Sequence, residues 1–175
     1  MFSYWAYILI GNNDTGKTSF QKHLVFDLCG REYDRLPRNL LTEITHPRMP
    51  RGVATLSTMN RSYQEKIDEY IDISGFFRNS FKQGDVCILS SHTHDPSIVH
   101  LKDMIHELRI RAYNVGAVFF SNGFNKDAEQ ISLLDWDERL WLENPPANSP
   151  DAIQSQIARL AREFSEMLIA RASVS

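Results

Sequence analysis

Tyr4 to Ile10 is an unbroken apolar run, and it leads directly into Gly11-Asn12-Asn13-Asp14-Thr15-Gly16-Lys17-Thr18-Ser19. An apolar run without alternation predicts a central strand buried on both faces. The pattern that follows, Gly11-x-x-x-x-Gly16-Lys17-Thr18, narrows what the next residues can form. The glycines permit tight turns and let backbone N–H groups approach phosphate. Lys17 can reach the β and γ oxygens, and the Thr18 hydroxyl can ligate Mg²⁺. A helix beginning near Gly16 and running to Cys29, with Gly30 as its C-cap, adds the positive end of its dipole.

The rest of the chain supplies more strands and helices. Residues 31–51 hold five arginines and three prolines without a clear period, and read as a long, mobile functional loop. Val53 to Met59 reads as a strand. Two readings compete for 61–77: a turn and then a strand from Ile67 to Ile73, or one helix from Arg61 on the spacing of Tyr63, Ile67, Tyr70 and Phe77. Val86 to Ser90 and Val115 to Phe120 are further buried strands, and Leu140 to Leu142 a short one. Asp95-Pro96 opens an amphipathic helix over 96–112. Ser149-Pro150 opens a last helix whose apolar face is Ile153, Ile157, Leu160, Phe164 and Leu168. Strands alternating with helices predict one α/β domain over residues 1–175, with a largely parallel sheet covered on both sides. The chain's 175 residues suffice for one such core.

Charge and composition exclude several classes. A net charge of −3 gives no global electrostatic case for nucleic acid. No apolar run approaches a membrane span. The start MFSYWAY lacks a basic n-region, Phe2 stands where myristoylation needs glycine, and RASVS is no prenylation box, so no membrane anchor is expected. Cys29 and Cys87, the two cysteines, lie in apolar surroundings. They predict reduced, buried thiols in a cytoplasmic protein.

In its strand–loop–helix setting, Gly11 to Ser19 resembles the phosphate loop of the P-loop NTPase superfamily. Such a loop needs an acid for Mg²⁺. Strand 86–90 ends in Ser90-Ser91-His92 with no carboxylate, which counts against an ordinary Walker-B ATPase. Residues 69–75, EYIDISG, resemble the DxxG motif of small GTPases, and the order of segments along nearly the whole chain resembles a Ras-like small GTPase. The resemblance implies a three-layer fold with helices on both faces of a mostly parallel six-stranded sheet. Strands 53–59 and 67–73 would be antiparallel.

It also implies a nucleotide-dependent switch holding GTP or GDP with Mg²⁺, with ATP as the alternative. Gly11, Asn12, Asn13, Asp14, Thr15, Gly16, Lys17, Thr18 and Ser19 would bind phosphates. Thr18 and Asp72 would serve Mg²⁺, joined in the triphosphate state by Thr42 or Thr45. Lys17, Asp72 and Gly75 would carry the chemistry, with Gly75 on the γ-phosphate. Asn122 and Asn125, or Asp127 in a shifted register, would contact the base. Segments 31–51 and 72–83 would be the two switches and the surface for a protein effector or regulator.

The chain departs from that family at several positions. Phe76 and Phe77 follow DxxG where a water-positioning glutamine is usual, so hydrolysis should be slow. Arg31, Arg35, Arg38, Arg48 or Arg51, or His46 or His92, are substitutes to consider. Gly123 replaces the family's lysine, Asn125 its aspartate, and Asn144-Pro145-Pro146 its last loop. These departures keep two alternatives open. One is a pseudo-GTPase binding module. The other is a P-loop phosphotransferase or ATPase, which would want a cationic lid after strand 115–120, where 121–138 offers only Lys126. His92, His94 and Asp95, with His100 and His106 nearby, read as a polar turn, as neighbours of the phosphates or as a metal cluster. Phe76, Phe77 and Phe81 read as core or as an exposed partner surface.

Overall fold

A computed structural model describes residues 4–94 and 96–174. Along them run β1 (Trp5–Ile10), α1 (Lys17–Cys29), β2 (Asn39–Glu43), β3 (Thr55–Met59), a 3₁₀ turn (Tyr63–Lys66), α2 (Ile67–Tyr70) and α3 (Ile73–Asn79). Then come β4 (Val86–Ser91), α4 (Ser97–Ile110), β5 (Asn114–Phe120), α5 (Lys126–Ser132), β6 (Glu138–Leu142) and α6 (Pro150–Ser173). The strands form one sheet in the order β2-β3-β4-β1-β5-β6. Only the β2–β3 pair is antiparallel. Asp95, the expected N-cap of α4, lies outside the described residues.

β1 is unbroken and apolar because it buries both faces. Tyr7 and Leu9 join a core with Phe20, Leu24 and Leu28 of α1 and Phe164 and Leu168 of α6. Ala6, Ile8 and Ile10 join a second core on the other face, with Phe76 of α3, Leu101, Met104 and Leu108 of α4, and Ile131 of α5. The expected α/β sheet with helices on both faces is therefore present. Cys29 and Cys87 are both buried and free. Burial pushes their thiols up, to about 12 and about 11. Among the described residues no helix is long and apolar enough to cross a membrane.

The second and third strands are not the expected pair. Segment 67–73 holds α2, a bend at Ile71 and Asp72, and the start of α3, and β3 pairs instead with β2, which lies inside the segment expected as a loop. The single helix from Arg61 does not form either: the segment breaks into the 3₁₀ turn, α2 and α3, with Tyr63, Tyr70, Phe76 and Phe77 buried, Ile67 exposed, and Ile71 91% exposed at a φ of 68° where the chain breaks. A strand would have aligned Ile67, Ile71 and Ile73 on one face, and the fold uses no such face. Phe76 and Phe77 are core, and Phe81 packs against it, so they form no exposed partner patch. In β2 an alternation of Leu40, Thr42 and Ile44 faces inward, masked in the sequence by Leu41.

β1 and β4 are neighbours, yet α1 lies on one face of the sheet and α4 on the other. The two chains diverge above the tips of these strands and open a crevice there. The backbone N–H of Gly11 ties the loop to the β4 tip through Ser91 O at 3.1 Å.

Candidate functional site: the loop between β1 and α1

The loop 11–16 closes on itself. Gly16 has φ 101° and Asp14 φ 62°, so the chain turns through left-handed backbone before α1. The Thr15 side chain fills the inside of the turn and donates to Asn12 O at 2.9 Å. A Cβ on Gly11 would meet Thr15 Oγ1 at 2.6 Å, so glycine is required for this packing. α3, α5 and α6 carry side-chain caps from Asp72, Asn125 and Ser149, but Gly16 supplies none to α1. The first-turn amides of α1 therefore keep their hydrogen-bonding capacity for an anion.

Lys17 is 8% exposed, and its Nζ donates to the carbonyls of Gly11 and, at 2.8 Å, Asn12. Burial pushes its pKa down to about 8, against the upward pull of Glu65 and Asp14. One turn on, buried Gln21 donates to Met59 O at 3.1 Å and Ser90 Oγ at 2.8 Å, locking α1 to the tips of β3 and β4.

Residues 13–19 form one side of a cleft of about 460 Å³, and Asn60, Arg61 and Glu65 form the other. Glu65 is an acid that motif reading missed. It sits on the 3₁₀ turn after β3, so no strand-tip pattern marks it. Arg61 Nη1 donates to it at 3.0 Å, and His92 Nε2 lies 3.2 Å from it. Burial pushes the Glu65 carboxyl up, but the hydrogen bonds from Arg61 and His92 outweigh this and hold it below the ordinary value. Gln64 anchors the turn, accepting from His92 N at 3.3 Å and donating to Ser91 Oγ at 3.1 Å.

The oxygen donors suit a hard cation. Thr18 Oγ1 is 3.5 Å from Asn60 O, the Glu65 carboxylate lines the same cleft, and Asn60 Oδ1 is a buried acceptor with no partner among the described residues. Among the described residues, no group of three or more His, Cys, Asp or Glu is placed to hold a metal ion, and the histidines around His92 form no such cluster.

Other expected site residues stand elsewhere. Asp72 caps α3, accepting from the Gly75 N–H at 2.5 Å, so both groups are already engaged. Asp72 lines a separate depression with Asp103, His106 and Glu107. Thr42 pairs with Leu56, which pairs with Val86 opposite Trp5, at the end of the sheet away from Ile10 and the loop. Thr45 N donates to Leu28 O at the far end of α1. The fold brings neither threonine to Thr18, because β2 runs antiparallel and carries the chain away from the loop.

Asn12 turns its side chain to the β4 side, accepting from Thr93 N at 3.0 Å and Thr93 Oγ1 at 3.1 Å. Asn122 donates its N–H to Asn144 Oδ1 at 3.1 Å, and Asn144 Nδ2 donates to Thr15 O at 3.1 Å. Asn144 thus binds the β6–α6 connection and the 121–123 turn to the loop 11–16. Asn125 caps α5 by accepting from Ala128 N at 2.9 Å, and Asp127 is exposed in that helix's first turn.

No protein-family model matches the chain, and no curated protein matches it either.

Proposed function

We propose that this chain binds a nucleoside triphosphate with Mg²⁺ in the loop 11–19 and acts on its γ-phosphate, with Glu65 as the acid–base group. The observation that carries this reading is the cleft itself. It sets the uncapped amides of α1, Lys17 and Thr18 against a carboxylate oriented by Arg61 and His92. Thr18, with Asn60, would hold Mg²⁺, which when bound offsets charge on the phosphates. Lys17 exchanges its contacts with loop carbonyls for phosphate oxygens, and Glu65 accepts the proton of the attacking hydroxyl or water oxygen as that oxygen bonds the γ-phosphorus and the nucleoside diphosphate leaves.

The GTP-switch expectation took its metal acid and γ-phosphate sensor from Asp72 and Gly75. With both engaged in capping α3, its support reduces to the loop. Binding of GTP and of ATP, each with Mg²⁺, is the test, by calorimetry with a phosphate-release assay. Saturable one-to-one binding is expected. Lys17→Ala should weaken it by at least about tenfold. Glu65→Gln should retain binding and lose about a hundredfold or more in turnover. Absence of binding by either nucleotide would overturn the proposal.

A further inference from the structure

Beside the phosphate-loop cleft lies a second one of about 470 Å³, large enough for a small molecule. Its lining carries four cations, Arg35, Arg38, Arg61 and Lys66, against one acid, Glu65. The one apolar side chain on it, Leu36, is buried beneath the surface. This concentration of positive charge stands on a chain whose net charge is −3. Its cations come from the segment after α1 and from the turn after β3, not from 121–138 after β5.

Arg61 holds Glu65, and the other three cations are available. Arg35 is exposed and has no hydrogen bond or ion pair within the described residues. Arg38 and Lys66 share one carboxylate, Glu69, at 2.5 and 2.9 Å, in partly exposed pairs of the kind that contribute little to stability. Both can therefore turn to an incoming anion at small cost. Arginine forks match phosphate oxygens in two-point hydrogen bonds.

The two clefts share Asn60, Arg61 and Glu65. Asn60 lies beside Thr18, at the end of the loop where the β- and γ-phosphates of a bound triphosphate would sit. We infer that the second cleft binds the phosphate group of a small phosphorylated second substrate, held next to the γ-phosphate of the triphosphate in the first. This rests on the triphosphate reading above and deepens it: an oxygen of the second substrate's phosphate would form a bond to the γ-phosphorus as the bond to the β–γ bridging oxygen breaks and the nucleoside diphosphate leaves, which makes the protein a phosphotransferase rather than a switch. The distribution of polar groups also indicates what the ligand is: a compact anion with little apolar surface.

The test saturates the wild-type protein with Mg²⁺ and a non-hydrolysable β,γ-imido triphosphate, then titrates it with inorganic phosphate by calorimetry. An Arg35→Gln/Arg38→Gln variant, checked for an unchanged melting temperature, is treated in the same way. The expected result is saturable phosphate binding that the variant weakens by about tenfold or more, with the affinity for the analogue held within about twofold. If the analogue binds but phosphate does not, or if phosphate binding is unchanged in the variant, this inference is overturned and the triphosphate reading stands. Equal weakening of phosphate and analogue overturns it too, by assigning the arginines to the triphosphate. Failure of the analogue to bind the wild type overturns the triphosphate reading, and the inference with it.

Discussion

His92 Nε2 stands 3.2 Å from Glu65 Oε1, joining the tip of β4 to the turn after β3. Its other ring nitrogen is buried and has no partner among the described residues. The side chain is 8% exposed. Burial, and then the charge of Lys17, depress its pKa below 6.5 despite the pull of Glu65. A buried imidazole that resists its proton makes the site sensitive to acid.

The first prediction follows from that depression. The unfolded chain protonates His92 at about 6.5 while the folded chain does not, so the unfolded state binds more protons just below that pH. Stability is fully present above about 6.5 and is lost as pH falls toward the folded pKa. Glu65, also depressed, adds loss below about 4.5. Melting temperatures measured across the acid range should fall, and His92→Gln should flatten the upper part of that slope. A slope unchanged in the variant would exclude His92 as its source.

Lys17 sets a second pH dependence, of opposite sense. With its pKa near 8 in the free protein, the charged form that an anion needs is depleted as pH rises. Apparent affinity scales with the fraction of competent protein, so triphosphate binding should be about tenfold weaker at about pH 9 than at about pH 7. Titrations with a fluorescent triphosphate at the two pH values check this. Flat affinity would mean that Lys17 is not a phosphate contact.

Asp72 separates a cap from a metal ligand. Asp72→Ala should cost about 0.5–2 kcal/mol of stability, the usual cost of losing an N-cap, with Mg²⁺-dependent triphosphate affinity unchanged. Denaturant unfolding and nucleotide titration of the same variant report both quantities. A large loss of Mg²⁺-dependent affinity would restore Asp72 to the metal site.

Asn144 should behave as a strut beneath the loop. It is 3% exposed, and its side chain meets Thr15 O, Asn122 N and Ser121 Oγ. Asn144→Ala leaves buried backbone groups unpaired, at a cost of about 1–3 kcal/mol. Triphosphate affinity should drop with it, because Thr15 O loses its anchor. Gly123→Ala presses on the same point from above, since its Cβ would meet Thr15 Cγ2 at 2.6 Å. Both variants should therefore weaken nucleotide binding without altering a phosphate contact.

The sequence by itself determined the parts whose physics is local. The β1 run needs two apolar neighbours, the glycine pattern needs left-handed turns, and Lys17 and Thr18 follow within one helical turn. Those residues, the α/β class and the helices after Ser149 and before Gly30 were legible from periodicity and caps. Tertiary structure decided the rest. Whether 67–73 is strand or helix depended on whether Tyr70, Phe76 and Phe77 could be buried against α4, which periodicity left open. Strand order placed β4 between β1 and β3, so His92 rather than a strand-tip acid borders the loop. Glu65 and the arginines at 35 and 38 carry no motif, since they converge only when the chain returns along α1 to the end of the sheet where Lys17 lies. Charged groups far apart in sequence become a site through such convergence, and no local pattern records it.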